Sequence, residues 1–248
     1  MPRGRDTRLH ALHRLHETRR HYGRLRDTVR WTRSRAAAAT ALGTAVCAGC
    51  WLIDSGAHVQ GSPPQPSAAQ AFTTGPAFAR FQELVPPLSP AAPTRVRIPE
   101  IDVDAPLVPL GLQPDGTLTS PPEEDRNLAG WYAAGTPPGA AGTAVIAGHV
   151  DTAAGPAVFY NVGILKKGDA MEIARVDGRT AVFTIDAIEV YTRADFPSRK
   201  VYGPTGRAEL RLITCGGGFS EETSEYLGNV VVYAHLTAVR DAATRRGA

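Results

Sequence analysis

The chain has 248 residues, is 43% hydrophobic and 21% charged, and carries a formal net charge of +3. Such a composition excludes disorder throughout, and the length allows one domain of about 150 residues with appendages. The charge is split: residues 1–35 hold eleven Arg against Asp6, Glu17 and Asp27, a balance of +8, while the rest of the chain is net −5. The basic pI therefore describes a tail, and a whole-protein nucleic-acid binder is excluded.

Residues 36–53 follow the tail as eighteen uncharged, Ala-rich positions closed by Asp54. At about 1.5 Å per residue the run spans roughly 27 Å, near the lower limit for crossing a bilayer. Eleven arginines before it orient the N-terminus to the cytoplasm and the bulk of the chain outside. A buried Ala-rich helix and a signal peptide cleaved near Ala69-Gln70-Ala71 are the alternatives. The long basic region and the distance of that site from the apolar run favour an uncleaved signal anchor. Residues 1–35 read as a basic cytoplasmic tail attracted to anionic lipids. An amphipathic helix through Leu9, Leu12, Leu15, Leu25 and Val29 and a disordered topogenic tail both remain open. His10, His13, His16 and His21 lie there without the Cys or acidic neighbours of a metal site.

Residues 54–93 read as a linker. Eight of the twenty prolines fall within 62–93, among Ser, Gln and Ala, which predicts an extended, semi-rigid spacer. One or two helical turns fit residues 76–85. From residue 94 the pattern becomes short strands, at 95–98, 143–147, 170–176, 181–191, 208–213 and 230–236. Asp177-Gly178 between two alternating runs marks a hairpin, and Asp115-Gly116 marks another turn. Roughly eight strands predict a mainly β domain over 94–238, as a closed barrel or a sandwich, with residues 239–248 as a tail.

Cys47 and Cys50 fall in the apolar run and read as small helix residues. The β domain then holds Cys215 alone, which is either buried and inert or a reactive thiol. It ends the apolar run 210–214 and precedes Gly216, Gly217 and Gly218, so the approach to it is open. His149 ends another apolar run beside Gly148, in a placement that mirrors Cys215. A thiol needs an adjacent base or cation to become a strong nucleophile, and His149 is a candidate base. The alternative for His149 is a turn residue capped by Asp151. His235, on the last strand, reads as structural. One Cys and two His in the domain are too few for a zinc hydrolase or a disulfide oxidoreductase, and P-loop and dinucleotide fingerprints are absent. No cofactor and no metal are expected, and Glu221 and Glu222 do not amount to a calcium cluster.

Three segments in order resemble the sortases: Thr143-Ala144-Val145-Ile146-Ala147-Gly148-His149-Val150-Asp151, Leu212-Ile213-Thr214-Cys215-Gly216-Gly217, and Asn229-Val230-Val231-Val232-Tyr233-Ala234. With Phe196-Pro197-Ser198 and Val201-Tyr202-Gly203-Pro204, they look most like the actinobacterial class F. The resemblance covers about residues 93–238. It implies an eight-stranded β-barrel with short helices, and transpeptidation by a membrane-tethered cysteine enzyme. Its partners would be secreted proteins with an LPxTG-like C-terminal sorting signal and a cell-wall precursor amine. In that scheme Cys215 is the nucleophile, His149 the acid–base group, and Thr214 lies at the substrate.

The sequence departs from the family at one position. The family's catalytic arginine precedes an Asn-Val-Val-Val-Tyr run, about where Leu227 stands here. Leucine cannot donate to a substrate carbonyl as a guanidinium does. Either another arginine, Arg193 or Arg211, reaches the site, or the enzyme is slow, or the domain is a degenerate sortase that binds without cutting. Arg211, four residues before Cys215, would share its face but lie about 13 Å away at ~3.3 Å per residue. Arg193, in the connection leading to Phe196-Pro197, is the better placed of the two. An L,D-transpeptidase is disfavoured because Cys215 follows Ile213-Thr214 rather than His-Gly.

Overall fold

A computed structural model describes residues 61–73 and 85–241. The expected cytoplasmic tail and membrane span lie outside the described residues, as does the helical turn at 76–85 except for Val85. Among the described residues no helix is long and apolar enough to cross a membrane.

Among the described residues ten strands form in chain order: β1 (Pro93–Ile98), β2 (Val103–Leu110), β3 (Ala129–Tyr132), β4 (Gly142–Gly148), β5 (Asp151–Thr152), β6 (Gly155–Pro156), β7 (Ala170–Arg175), β8 (Arg179–Thr192), β9 (Ala208–Ser220) and β10 (Glu225–Asp241). One short α-helix, α1 (Ser198–Tyr202), joins β8 to β9. Eight strands close a barrel in the order β1-β2-β3-β4-β9-β10-β8-β7, and β5 pairs with β6 apart from it. Closure pairs both edges of each of these eight strands, where an open sheet of this size would leave two edges exposed. The closed alternative, rather than the sandwich, is the one adopted.

Alternation decides what fills the barrel. Ala144 and Ile146 of β4, Leu210 and Leu212 of β9, and Val230, Val232 and Ala234 of β10 point inward with Val96, Ile98, Met171 and Phe183. The intervening residues would normally meet water. Here Val145, Ile213, Val231 and Tyr233 instead form a second apolar cluster on the outer face, joined by Val201 of α1. So the β4-β9-β10-β8 wall is apolar on both sides, and its outer side is where a groove forms.

The hairpin at Asp177-Gly178 forms as expected, with Ala174 paired to Thr180 and Gly178 at φ 79°. The Asp177 carboxylate binds both flanking guanidiniums, Arg175 at 2.9 Å and Arg179 at 2.7 Å. Arg175 is buried and also donates to the Pro138 and Ser89 carbonyls. β2 and β3 were not marked by the sequence. β2 carries two prolines and β3 is four residues long, so neither shows a sustained alternating run. β10 continues to Asp241, so residues 239–241 belong to the last strand rather than to a tail.

Residues 61–73 differ from the expected free spacer. They lie along the barrel: the Lys167 amide donates to Gln70 Oε1 (2.8 Å), and the Phe72 amide donates to Glu189 Oε1 (3.0 Å). The Phe72 ring meets Tyr233 edge-on, with centroids 5.1 Å apart. Pro63 is buried. Proline composition describes local stiffness, and these side chains supply tertiary partners that stiffness alone does not reveal.

Candidate active site

The parallel pairing of β4 with β9 ends at Ala147↔Ile213. Two residues further along the chain from each of these stand His149, just past the end of β4, and Cys215, still within β9. The side chains two apart share a face, so both join Val145, Ile213 and Arg211 on the outer wall. Thr214, between them in sequence, fastens the strands: it is buried, and its hydroxyl donates to the Gly148 carbonyl at 2.9 Å. β10 continues the row, since Asn229 pairs with Cys215. His149, Thr214, Cys215 and Asn229 all line one groove of about 950 Å³, whose opposite wall includes Leu118, Phe196 and Tyr202.

Cys215 is not at the end of its strand as the sequence suggested. β9 runs five residues beyond it to Ser220, because β10 stays alongside as Phe219 pairs with Tyr226. The thiol is nevertheless reachable. The ladder breaks just past it, where the register shifts between Tyr226 and Gly228 and both Gly217 and Gly218 have positive φ. Such a bulge re-aims the backbone beside a functional residue.

His149 Nε2 lies 2.8 Å from the Pro121 carbonyl oxygen. A carbonyl only accepts, so Nε2 carries the hydrogen, and Nδ1 is the nitrogen left to exchange a proton. The histidine is further fixed through its own carbonyl, which accepts from the Phe159 amide at 3.0 Å. Burial raises the Cys215 thiol above its ordinary value; the Arg193 charge opposes that rise and the Asp151 charge adds to it. The resting site therefore holds a thiol, which needs a base at the moment of attack. Asp151 accepts a short hydrogen bond from the Tyr226 hydroxyl, so the segment after His149 is tied to β10. Burial, and after it that bond, push the Tyr226 phenol well up.

Leu227 is 53% exposed and does not line the groove. Arg193 is exposed, and its Nη1 pairs with Glu225 Oε2 at 2.6 Å. Arg211 shares the outer face, as alternation predicts. It is buried against the Tyr233 ring, 4.5 Å from the centroid, and bound to Glu209 at 2.6 Å, so it does not serve Cys215. His235 is buried with Nδ1 2.8 Å from Asp186, a structural pair. Pro121, which orients His149, is marked by nothing local in the sequence, and Asn229, which pairs with Cys215 across the β9–β10 ladder, stood in a motif segment without being singled out as a site residue. Among the described residues no group of three or more His, Cys, Asp or Glu is placed to hold a metal ion.

A closed mixed barrel with a thiol and an imidazole on adjacent parallel strands, opening on one groove, defines a cysteine acyl-transfer scaffold. The sortase domain model matches residues 96–237, more than half of the chain, and the chain belongs to the sortase family, whose members are cysteine transpeptidases acting on sorting-signal proteins and cell-wall amines. The chain is similar in structure to sortase A of Listeria monocytogenes (18% identity, TM-score 0.45, covering 63% of this chain and 93% of that one). It is likewise similar to a sortase of Actinomyces oris (19%, TM-score 0.47, 67% and 89%) and to sortase A of Corynebacterium diphtheriae (23%, TM-score 0.44, 60% and 62%). No curated protein matches the chain.

Proposed function

We propose that this chain is a membrane-tethered sortase of the actinobacterial class F type. It would cleave an LPxTG-like signal at the Thr–Gly bond on secreted proteins and join the acyl group to a cell-wall amine. The observation that carries the reading is the placement of His149 and Cys215 side by side, on one face and at one groove. The Cys215 sulfur attacks the scissile carbonyl. His149 Nδ1 accepts the thiol proton and returns it to the departing amine, leaving a thioester on Cys215. An incoming amine then attacks the thioester, gives up a proton through His149 and regenerates the thiol. Splitting acyl transfer into two steps this way is nucleophilic catalysis with general acid–base assistance. The Phe196-Pro197-Ser198 and Val201-Tyr202-Gly203-Pro204 segments support the class. The charge split supports an N-terminus inside, one span at 36–53 and the barrel outside, with the basic tail at anionic lipids.

The test is cleavage of LPxTG-type peptides by the full chain in detergent. Product formation that is abolished in Cys215→Ala and reduced about 10²–10⁴-fold in His149→Ala is expected. A folded protein that cuts no sorting peptide, with or without an amine acceptor, sinks the enzyme reading. Leu227 favours a second reading, a degenerate sortase that binds sorting signals without cutting them. Peptide binding without turnover by the wild-type chain would establish that one.

A further inference from the structure

The cation that Leu227 does not supply stands on the neighbouring strand. β8 pairs with β10 through Asn229↔Tyr191 and Gly228↔Thr192. One step on, the Arg193 amide donates to the Leu227 carbonyl at 3.2 Å, so the two residues lie across from each other. Arg193 therefore follows Tyr191 on the outer face, the face that carries Cys215 and Asn229. β8 comes unusually close at this point: a side-chain carbon on Gly228 would fall 2.0 Å from the Tyr191 carbonyl oxygen. A larger residue at 228 would push the end of β8, and Arg193 with it, away from the thiol.

We propose that the guanidinium of this active site has moved from β10 to β8, and that Arg193 supplies the donor and positive charge beside Cys215 that Leu227 cannot. Arg211 and Arg240, the other arginines on β9 and β10, are committed elsewhere: Arg211 lies beneath Tyr233 with Glu209, and Arg240 pairs with Glu172. Arg193 is the positive group felt at the thiol. Among the described residues its side chain pairs with Glu225, and that pair is exposed on both sides (55% and 58%). An exposed pair of this kind is held weakly against water and salt. The guanidinium can thus leave Glu225 and turn its planar fork to a substrate carbonyl.

This inference rests on the transpeptidase reading for its effect on turnover, but its effect on the thiol does not. The ionisable groups around Cys215 are His149 at the end of β4, Asp151 on β5, Tyr226 and Glu225 on β10, and Arg193. The experiment measures alkylation of Cys215 by iodoacetamide against pH on the full chain, read by mass spectrometry of the peptide that contains Cys215. Peptide cleavage is measured in parallel. Arg193→Gln should move the alkylation midpoint up by several tenths of a pH unit, and Arg193→Lys should keep it near the wild-type value. Arg193→Gln should also lower kcat on the order of 10²–10³-fold with a smaller change in KM, and Arg193→Gln with Leu227→Arg should recover most of that loss. Arg193 is exposed, so these variants keep the fold, which a thermal melt checks. An unchanged alkylation profile and unchanged kcat in Arg193→Gln would overturn the proposal. A shifted profile in Arg193→Gln, with a wild-type chain that cuts nothing, would leave Arg193 beside the thiol and remove the enzyme reading instead.

Discussion

At the scale of single residues, the site works through small electrostatic choices. His149 donates from Nε2 to Pro121, which leaves Nδ1 for proton exchange. Cys215 is held as a thiol by burial that Arg193 only partly offsets. The alkylation rate of Cys215 should therefore keep rising with pH through the ordinary thiol range of about 8.5, with no plateau at acidic pH. Such a plateau would mean a preformed thiolate–imidazolium pair and contradict the arrangement. Asp177 offers a second test. The Arg175 guanidinium beside it holds its carboxyl far below the usual carboxylate range. A depressed carboxylate stabilises the fold above its unfolded value and loses that effect as pH falls through the folded one. Asp177→Asn should cost about 2 kcal/mol at pH 7, because buried Arg175 loses its charged partner. The gap to wild type in urea unfolding should narrow below about pH 4, toward the unfolded value of a carboxyl.

At the scale of elements, the segment 61–73 is more than a stiff spacer. The Gly217 amide, two residues after Cys215, donates to Gln65 Oε1 at 3.1 Å. The Pro64 carbonyl oxygen lies 1.9 Å from where a side-chain carbon on Gly163 would stand. Gly163→Ala should displace the segment and raise amide exchange at Gly217 by about tenfold or more, since a lost hydrogen bond is worth about 1 kcal/mol or somewhat more. Unchanged exchange at Gly217 would show that the segment does not hold the loop after the thiol. The hairpin of β7 and β8 was legible because Asp177-Gly178 is a local signal. β2 and β3 were not, because prolines and shortness hide the alternation. Cys215 looked like a strand end because three glycines break the pattern after it, whereas β10 keeps β9 extended through Ser220.

At the scale of the molecule, one barrel carries both a filled interior and an apolar outer wall. Phe183 is fully buried inside it, whereas Leu227 is half exposed on the rim. Phe183→Ala should lower stability by about 3–5 kcal/mol, and Leu227→Ala should change it by about 0.5 kcal/mol or less. Denaturant midpoints with unchanged slope check both, and a large cost at Leu227 would show that it is part of the core. The sequence by itself determined the charge split, the β character and the hairpin, and it singled out Cys215 and His149 as the candidate pair, because each is written in composition or in short-range pattern. Alternation also placed Arg211 on the face of Cys215. It could not say which strands become neighbours. His149 and Cys215 line one groove only because β4 and β9, 66 residues apart at the Thr214–Gly148 bond, lie parallel and in register. Arg193 reaches the rim only because β8 flanks β10, and Gln65 reaches Gly217 only because the linker folds back. Those pairings depend on how the whole barrel closes, which no local stretch of the chain encodes.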